Sequence, residues 1–320
     1  MKVLRTVAET RAAVGKARRS GLKVGLVPTM GAFHEGHLSL MRRARSDCDV
    51  VVVSLFVNPT QFNTPADLDA YPRDEREDAA LAAEAGVDLL FAPAADEIYA
   101  NDFATSVSVG AVGEPLEGAH RGPRHFDGVS TVVLKLLNIV GPDVVYFGQK
   151  DAQQTVVIRR LVRDLDVPVS IEVCPTVRAP DGLALSSRNV RLSPGERKRA
   201  TALYRSLSAA ETVIASGERD PAAAREAALR VLSSSEIEPD YFEFVDPQNF
   251  APLRAVKGDE VLALVAATLE SARLIDNLII PVPGARQRGT RVPDAEAEGN
   301  HNTIVAASQR ASELLAHPAA

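Results

Sequence analysis

Cysteine is scarce: only Cys48 and Cys174 occur in 320 residues. Two thiols so far apart form neither a disulfide framework nor a metal-ligand spacing, so a disulfide-stapled secreted domain and a zinc module are both set aside. Two buried thiols in a reducing compartment are expected instead. No apolar run approaches the ~20 residues that span a bilayer. Met1 to Ala13 alternates apolar with charged residues and lacks the continuous apolar stretch of a secretory signal. The expectation is therefore a cytoplasmic protein without a membrane role. Basic residues are outnumbered, 36 Lys and Arg against 42 Asp and Glu for a net charge of −6, which argues against a general nucleic-acid binder. Any anionic substrate must then be held by local groups. Three common signatures are also missing. There is no G-x-x-x-x-G-K-[ST] phosphate loop and no G-x-G-x-x-G after the first strand, and the two histidines beside Glu35 stand three apart where a zinc protease needs four. No internal repeat is present.

What remains is ordinary globular composition, 46% hydrophobic and 24% charged, in a chain long enough for two cores. Apolar runs at Leu22–Val27, Val50–Phe56, Val87–Phe91, Val144–Phe147 and Val169–Val173 have buried-strand length. Between them Leu38–Arg45, Arg73–Ala85, Val129–Ile139 and Gln153–Asp164 carry helical spacing, with Gly86 and Gly141 just past two of the ends. The alternation predicts an α/β domain, a Rossmann-like, doubly wound parallel sheet, over residues 1–175. Ligands of such sheets bind beyond the carboxyl ends of the strands. Residues 176–283 predict a smaller C-terminal α+β domain, with helices over Pro194–Ser216 and Pro221–Ser233 and strands at Tyr241–Val245, Val261–Ala267 and Ala272–Ile280. Residues 284–320 read as a mostly disordered tail.

Four stretches carry chemistry. Pro28 to His37 runs from a strand end into a helix. There Gly31 and Gly36 would leave backbone N–H groups open to a phosphate, and His34 and His37, three apart on one helix face, could both reach a triphosphate. Asn58-Pro59-Thr60-Gln61-Phe62 follows a strand, and Gln61 offers donor and acceptor. In Gly148-Gln149-Lys150-Asp151-Ala152-Gln153-Gln154, Lys150 could neutralise a phosphate, Asp151 could hold Mg²⁺, and Gln154 could share Lys150's helix face and bind a polar substrate. Asp181 to Asn189 reads as an interdomain loop whose Ser186, Ser187 and Arg188 form a donor-rich clamp free to close over the site. A weaker fifth stretch, Arg121 to Gly128, puts an Arg-His pair ahead of the helix from Val129. His120, His301 and His317 lack such context.

These stretches together, in this order, resemble the pantothenate synthetase family of pantoate–β-alanine ligases, within the nucleotidyltransferase superfamily marked by a His-x-Gly-His loop. The resemblance runs from near Met1 to about Pro283. It implies ATP binding by Met30, Gly31, Ala32, Phe33, His34, Glu35, Gly36 and His37, completed by Gly148, Gln149, Lys150, Asp151, Val177, Leu185, Ser186, Ser187 and Arg188. His37, His34, Lys150, Ser186, Ser187 and Arg188 would act in catalysis. Gln61 and Gln154 would hold pantoate, with Gln61 also beside β-alanine, Asp151 would help place Mg²⁺, and the protein would be a homodimer. One departure is that R-P-G-H-F of the family reads R-G-P-R-H-F here, so either Arg121 or Arg124 takes the family arginine's place. A rival in the same class makes a dinucleotide from a phosphorylated substrate, but uncharged Gln61 and Gln154 suit a hydroxy acid better. A silent nucleotide-binding regulator would have no need of Lys150 and both histidines.

Overall fold

Strands that read as unbroken apolar runs must be covered on both faces, and the fold meets that demand with helices on either side of a parallel sheet. The computed structural model describes residues 1–284 except Asn63 and Pro123, so the tail expected over 284–320 lies, but for Gly284, outside the described residues. In chain order the first part comprises β1 (Lys2–Leu4), α1 (Val7–Arg19), β2 (Val24–Thr29), α2 (Glu35–Asp47), β3 (Val50–Leu55), α3 (Pro65–Asp69), α4 (Glu75–Glu84), β4 (Leu89–Phe91), α5 (Ala95–Ile98), α6 (Glu117–Arg121), α7 (Arg124–Val140), β5 (Val144–Gly148), α8 (Ala152–Asp164) and β6 (Ser170–Cys174). The six strands pair in parallel in the order β1-β4-β3-β2-β5-β6. The chain thus winds outward from β2 to β4, then restarts on the other side of β2 with β5. That reversal puts the carboxyl end of β2 at the switch point, where doubly wound sheets bind ligands.

On one face Leu40, Met41 and Ala44 of α2 and Ala82 of α4 pack with Val27, Val51, Val53 and Tyr146, around both buried thiols. Sequence reading assigned no element to the N-terminus, yet β1 pairs with β4, and α1 opens on a Thr6/Glu9 capping box. That T-x-x-E signal was legible. A second difference lies at α7, which starts at Arg124 rather than Val129.

The chain divides into two compact units. Among the described residues, Gln149–Val156 and the chain from Pro175 to Gly284 make up the second, and Met1–Gly148 with Val157–Cys174 makes up the first. The second contains α9 (Pro194–Ala200), α10 (Ala202–Ala215), α11 (Pro221–Ser233), β7 (Pro239–Val245), β8 (Glu260–Thr268) and β9 (Arg273–Pro281), the strands antiparallel in the order β7-β8-β9. The single helix expected over Pro194–Ser216 breaks at Thr201, whose hydroxyl turns back to donate to the Lys198 carbonyl at 2.8 Å. Such local side-chain bonds compete with helix propagation. Leu203, Leu207 and Ile214 of α10 and Ala224 and Ala228 of α11 pack on Val261, Ala263 and Val265 of β8 to form this unit's own core.

Candidate active site

In the first unit the chain leaves β2 through a turn at Gly31 and Ala32, where φ is +92° and +53°. The carboxylate of Asp78, on α4 and only 3% exposed, accepts the N–H groups of Ala32 at 3.0 Å and Phe33 at 2.7 Å. Two amides that the sequence seemed to leave for a phosphate are therefore satisfied from within. Burial pushes the Asp78 carboxyl up, and the two N–H bonds oppose it. A Cβ on Gly31 would stand 2.8 Å from Asp78 Oδ2, so the glycine makes room for the carboxylate.

His34 then caps α2. Its Nδ1 accepts the Gly36 N–H at 3.1 Å, His37 Nδ1 accepts the His34 N–H at 3.3 Å, and the rings lie 4.2 Å apart. A ring nitrogen that accepts is unprotonated, so each neutral imidazole carries its proton on Nε2 and offers a donor there. Gly36 also has a steric role. A Cβ there would come within 2.8 Å of the His34 ring, so the glycine clears space for the capping imidazole.

Gln61 is fixed from three sides. Fully buried Asn58 donates from Nδ2 to Gln61 Oε1 at 3.0 Å, while its own Oδ1 accepts from the Tyr99 hydroxyl at 2.8 Å. The Gln61 Nε2 is 3.0 Å from Met30 Sδ, and His125 donates from Nδ1 to the Gln61 carbonyl at 2.9 Å. Gly128 lets α7 approach, since a Cβ there would sit 2.7 Å from the Thr60 carbonyl oxygen.

In the second unit Lys150 lies on a 3₁₀ turn over Gln149–Asp151, its ammonium 3.7 Å from the half-exposed carboxylate of Asp151. Gln154 is half-buried on α8. Lys150, Ser186 and Arg188 line one small cavity with Asn189 and Asp276. The segment from Val177 to Arg188, expected as an interdomain loop, is hydrogen-bonded within this unit. The Leu185 N–H donates to the Val177 carbonyl at 2.9 Å, and the Ala179 N–H to that of Leu183 at 2.9 Å. Arg178 stacks 4.0 Å from the Tyr204 ring centre and grips Asp276 with two bonds, 2.6 and 3.0 Å long. Ser186 caps the short turn over Ser187–Arg191, accepting the Arg188 N–H at 3.3 Å.

Each unit thus gathers one group of the expected residues, Met30 to His37 with Gln61 in the first, and Gln149 to Asp151, Gln154, Val177 and Leu185 to Arg188 in the second. The profile of the pantoate-beta-alanine ligase family matches residues 2–279. The chain belongs to this family. It is 55% identical over 276 residues to the pantothenate synthetase of Cereibacter sphaeroides (strain ATCC 17029 / ATH 2.4.9), covering 86% of this chain and 98% of that one. With the pantothenate synthetase of Thermotoga neapolitana the identity is 49% over 281 residues, 88% and 100% of the two chains. The crystal structure of pantothenate synthetase from Thermus thermophilus superposes with a TM-score of 0.82 at 48% identity, over 87% and 99% of the chains. Pantoate-beta-alanine ligase from Francisella tularensis, solved in complex with beta-gamma ATP and beta-alanine, gives a TM-score of 0.71 at 35% identity, over 87% and 97%.

Within the ligase family's fifth stretch, Arg121 donates from Nε to buried Glu117 at 2.9 Å, whereas Arg124 is exposed at the start of α7. Sequence reading missed Asp78, Arg178, Asp276 and Asn277. A faint signal existed for the last two: Asp276 and Asn277 interrupt an apolar strand, and buried polar residues in such a run need partners.

Proposed function

We propose that this chain condenses pantoate with β-alanine at the expense of ATP, giving pantothenate, AMP and pyrophosphate through a pantoyl-adenylate. The observation that carries the reading is the His34/His37 pair, each ring held with an Nε2–H donor, at the start of α2 in a chain that belongs to the ligase family. A carboxylate does not acylate an amine at neutral pH, because oxide is too poor a leaving group. Attack of the pantoate carboxylate on the α-phosphorus of ATP removes that obstacle. Pyrophosphate departs as charge develops on its oxygens, where His34, His37, Lys150, Ser186, Ser187 and Arg188 would supply fixed donors and cations. The amine of β-alanine then attacks the acyl carbon, and AMP leaves. No covalent bond to the enzyme is required.

In this reading Met30 to His37, Gly148 to Asp151, Val177 and Leu185 to Arg188 hold ATP, Gln61 and Gln154 hold pantoate, and Gln61 borders β-alanine. Mg²⁺ is usually carried on substrate phosphates with one or two carboxylates. Half-exposed Asp151 beside Lys150 suits that mode, and among the described residues no cluster of three ligating side chains forms an all-protein site. Bound there, Mg²⁺ would neutralise phosphate charge. A homodimer in the cytoplasm completes the proposal; among the described residues no helix is long and apolar enough to cross a membrane.

The test is AMP formation from ATP with pantoate and β-alanine together and with each omitted. Sustained AMP release is expected only with both, and pantoate alone should support exchange of labelled pyrophosphate into ATP. AMP release indifferent to pantoate would sink the proposal.

A further inference from the structure

β9 carries two polar residues side by side in its buried stretch, Asp276 and Asn277, each 3% exposed. Successive side chains on a strand point to opposite faces, so one short piece of backbone can hold two different segments. Asn277 spends its whole amide on one turn. Its Nδ2 donates to the carbonyls of Gln149 at 3.0 Å and Lys150 at 2.8 Å, and its Oδ1 accepts from Gln149 Nε2 at 3.1 Å. Asp276 spends both oxygens on Arg178, at 2.6 and 3.0 Å. Arg178 in turn donates to the Gly182 carbonyl at 3.2 Å, at the root of the loop that ends in Ser186, Ser187 and Arg188. A Cβ on Gly182 would lie 2.5 Å from the Tyr204 ring, so that loop is seated tightly on the same support.

Burying a carboxylate and an amide here costs desolvation that apolar residues on a strand would not incur. Their bonds fix the geometry of the two segments they hold. We infer that Asn277 and Asp276 are positioning residues for adenylate formation: Asn277 sets the turn that aims Lys150, Asp276 acts through Arg178 on the Ser186–Arg188 loop, and their adjacency on β9 fixes the two groups relative to each other. This rests on the reading of Lys150 and Ser186 to Arg188 as the groups that handle the phosphates.

The experiment is a double-mutant cycle on pantoate-dependent pyrophosphate release, with N277A made in the wild-type and K150A backgrounds. Misplacement of a catalytic group by about 1 Å costs on the order of 10²-fold, so N277A should lower kcat by about that factor. In the K150A background it should cost less than about threefold, because the group it aims is gone. A role in general stability would give equal losses in both backgrounds, and that result overturns the proposal. Asn277→Ser, which keeps one donor, should recover part of the loss and serves as the second variant should N277A fail to fold. Near-wild-type kcat in both N277A and N277S also overturns it. Wild-type protein that forms no AMP would instead bring down the ligase reading and this inference with it, whereas wild-type turnover with unaltered N277A removes the positioning role alone.

Discussion

At the scale of single residues, the site depends on groups whose orientation is set by partners far away in sequence. His34 and His37 are legible because they stand three residues apart at the start of a helix, and the structure adds that they cap it mutually. Asp78, which satisfies the turn before them, lies 46 residues from Ala32, and Asn277 lies 127 from Lys150. No pattern of spacing announces such pairs, since they exist only once the chain is folded. The histidine pair gives the sharpest functional prediction. His37→Ala removes a donor and half of the reciprocal cap, and pantoate-dependent pyrophosphate release should fall roughly 10²–10⁴-fold, the range for a positioned proton-transfer group. Release within about threefold of wild type in a rapid-quench assay would show that His37 stands outside the chemistry.

At the scale of elements, the helix starts at Pro194 and Pro221 were read correctly, while the equally local caps of α1 and α2 were not. α9 opens on Ser193 with Glu196 at its third position, a capping box that also accepts the Ser271 N–H at 2.7 Å and hydroxyl at 2.9 Å. The Ser193 hydroxyl, more than any other partner, holds the Glu196 carboxyl down, to about 2 from an ordinary 4.5. A carboxyl depressed in the folded state contributes stability that is fully present above its unfolded value and is lost as pH falls through its folded one. Glu196 should therefore stabilise the protein at neutral pH and cease to do so between about pH 4.5 and 2. Thermal melts of wild type and Glu196→Gln should differ at pH 7 and converge toward pH 2. A constant gap down to that pH would mean that the carboxylate charge is not what the cap uses. Other boundaries were misplaced, one beside a tertiary contact and one beside a local bond. α7 begins early, where His125 is drawn to the Gln61 carbonyl, and Thr201 splits a helix that periodicity alone would continue.

For the whole molecule, the family match covers residues 2–279, and the last described backbone bonds fall just beyond it. The Val282 N–H donates to the Asp259 carbonyl at 2.9 Å, and Arg219 donates to the Pro283 carbonyl. A chain ending at Gly284 keeps both bonds, and tolerance to truncation follows burial and bonding of the backbone removed, so its kcat should stay within about twofold of the full chain. A larger loss would assign residues 285–320 a part in turnover. The sequence by itself determined the parallel α/β sheet and the antiparallel sheet of the second unit, and it singled out the histidines, Gln61, Lys150 and the Ser186–Arg188 run as candidates. Those features follow from periodicity and from residue chemistry, which act over a few neighbouring positions. Only the tertiary structure decided that Asp78 fills the amides of the turn after β2, that Gly36 serves the His34 ring, and that the Val177–Arg188 segment is fastened to β9 through Arg178 and Asp276. These are pairings of buried polar groups across long stretches of chain, and a buried donor or acceptor finds its partner only when the whole fold brings the two together.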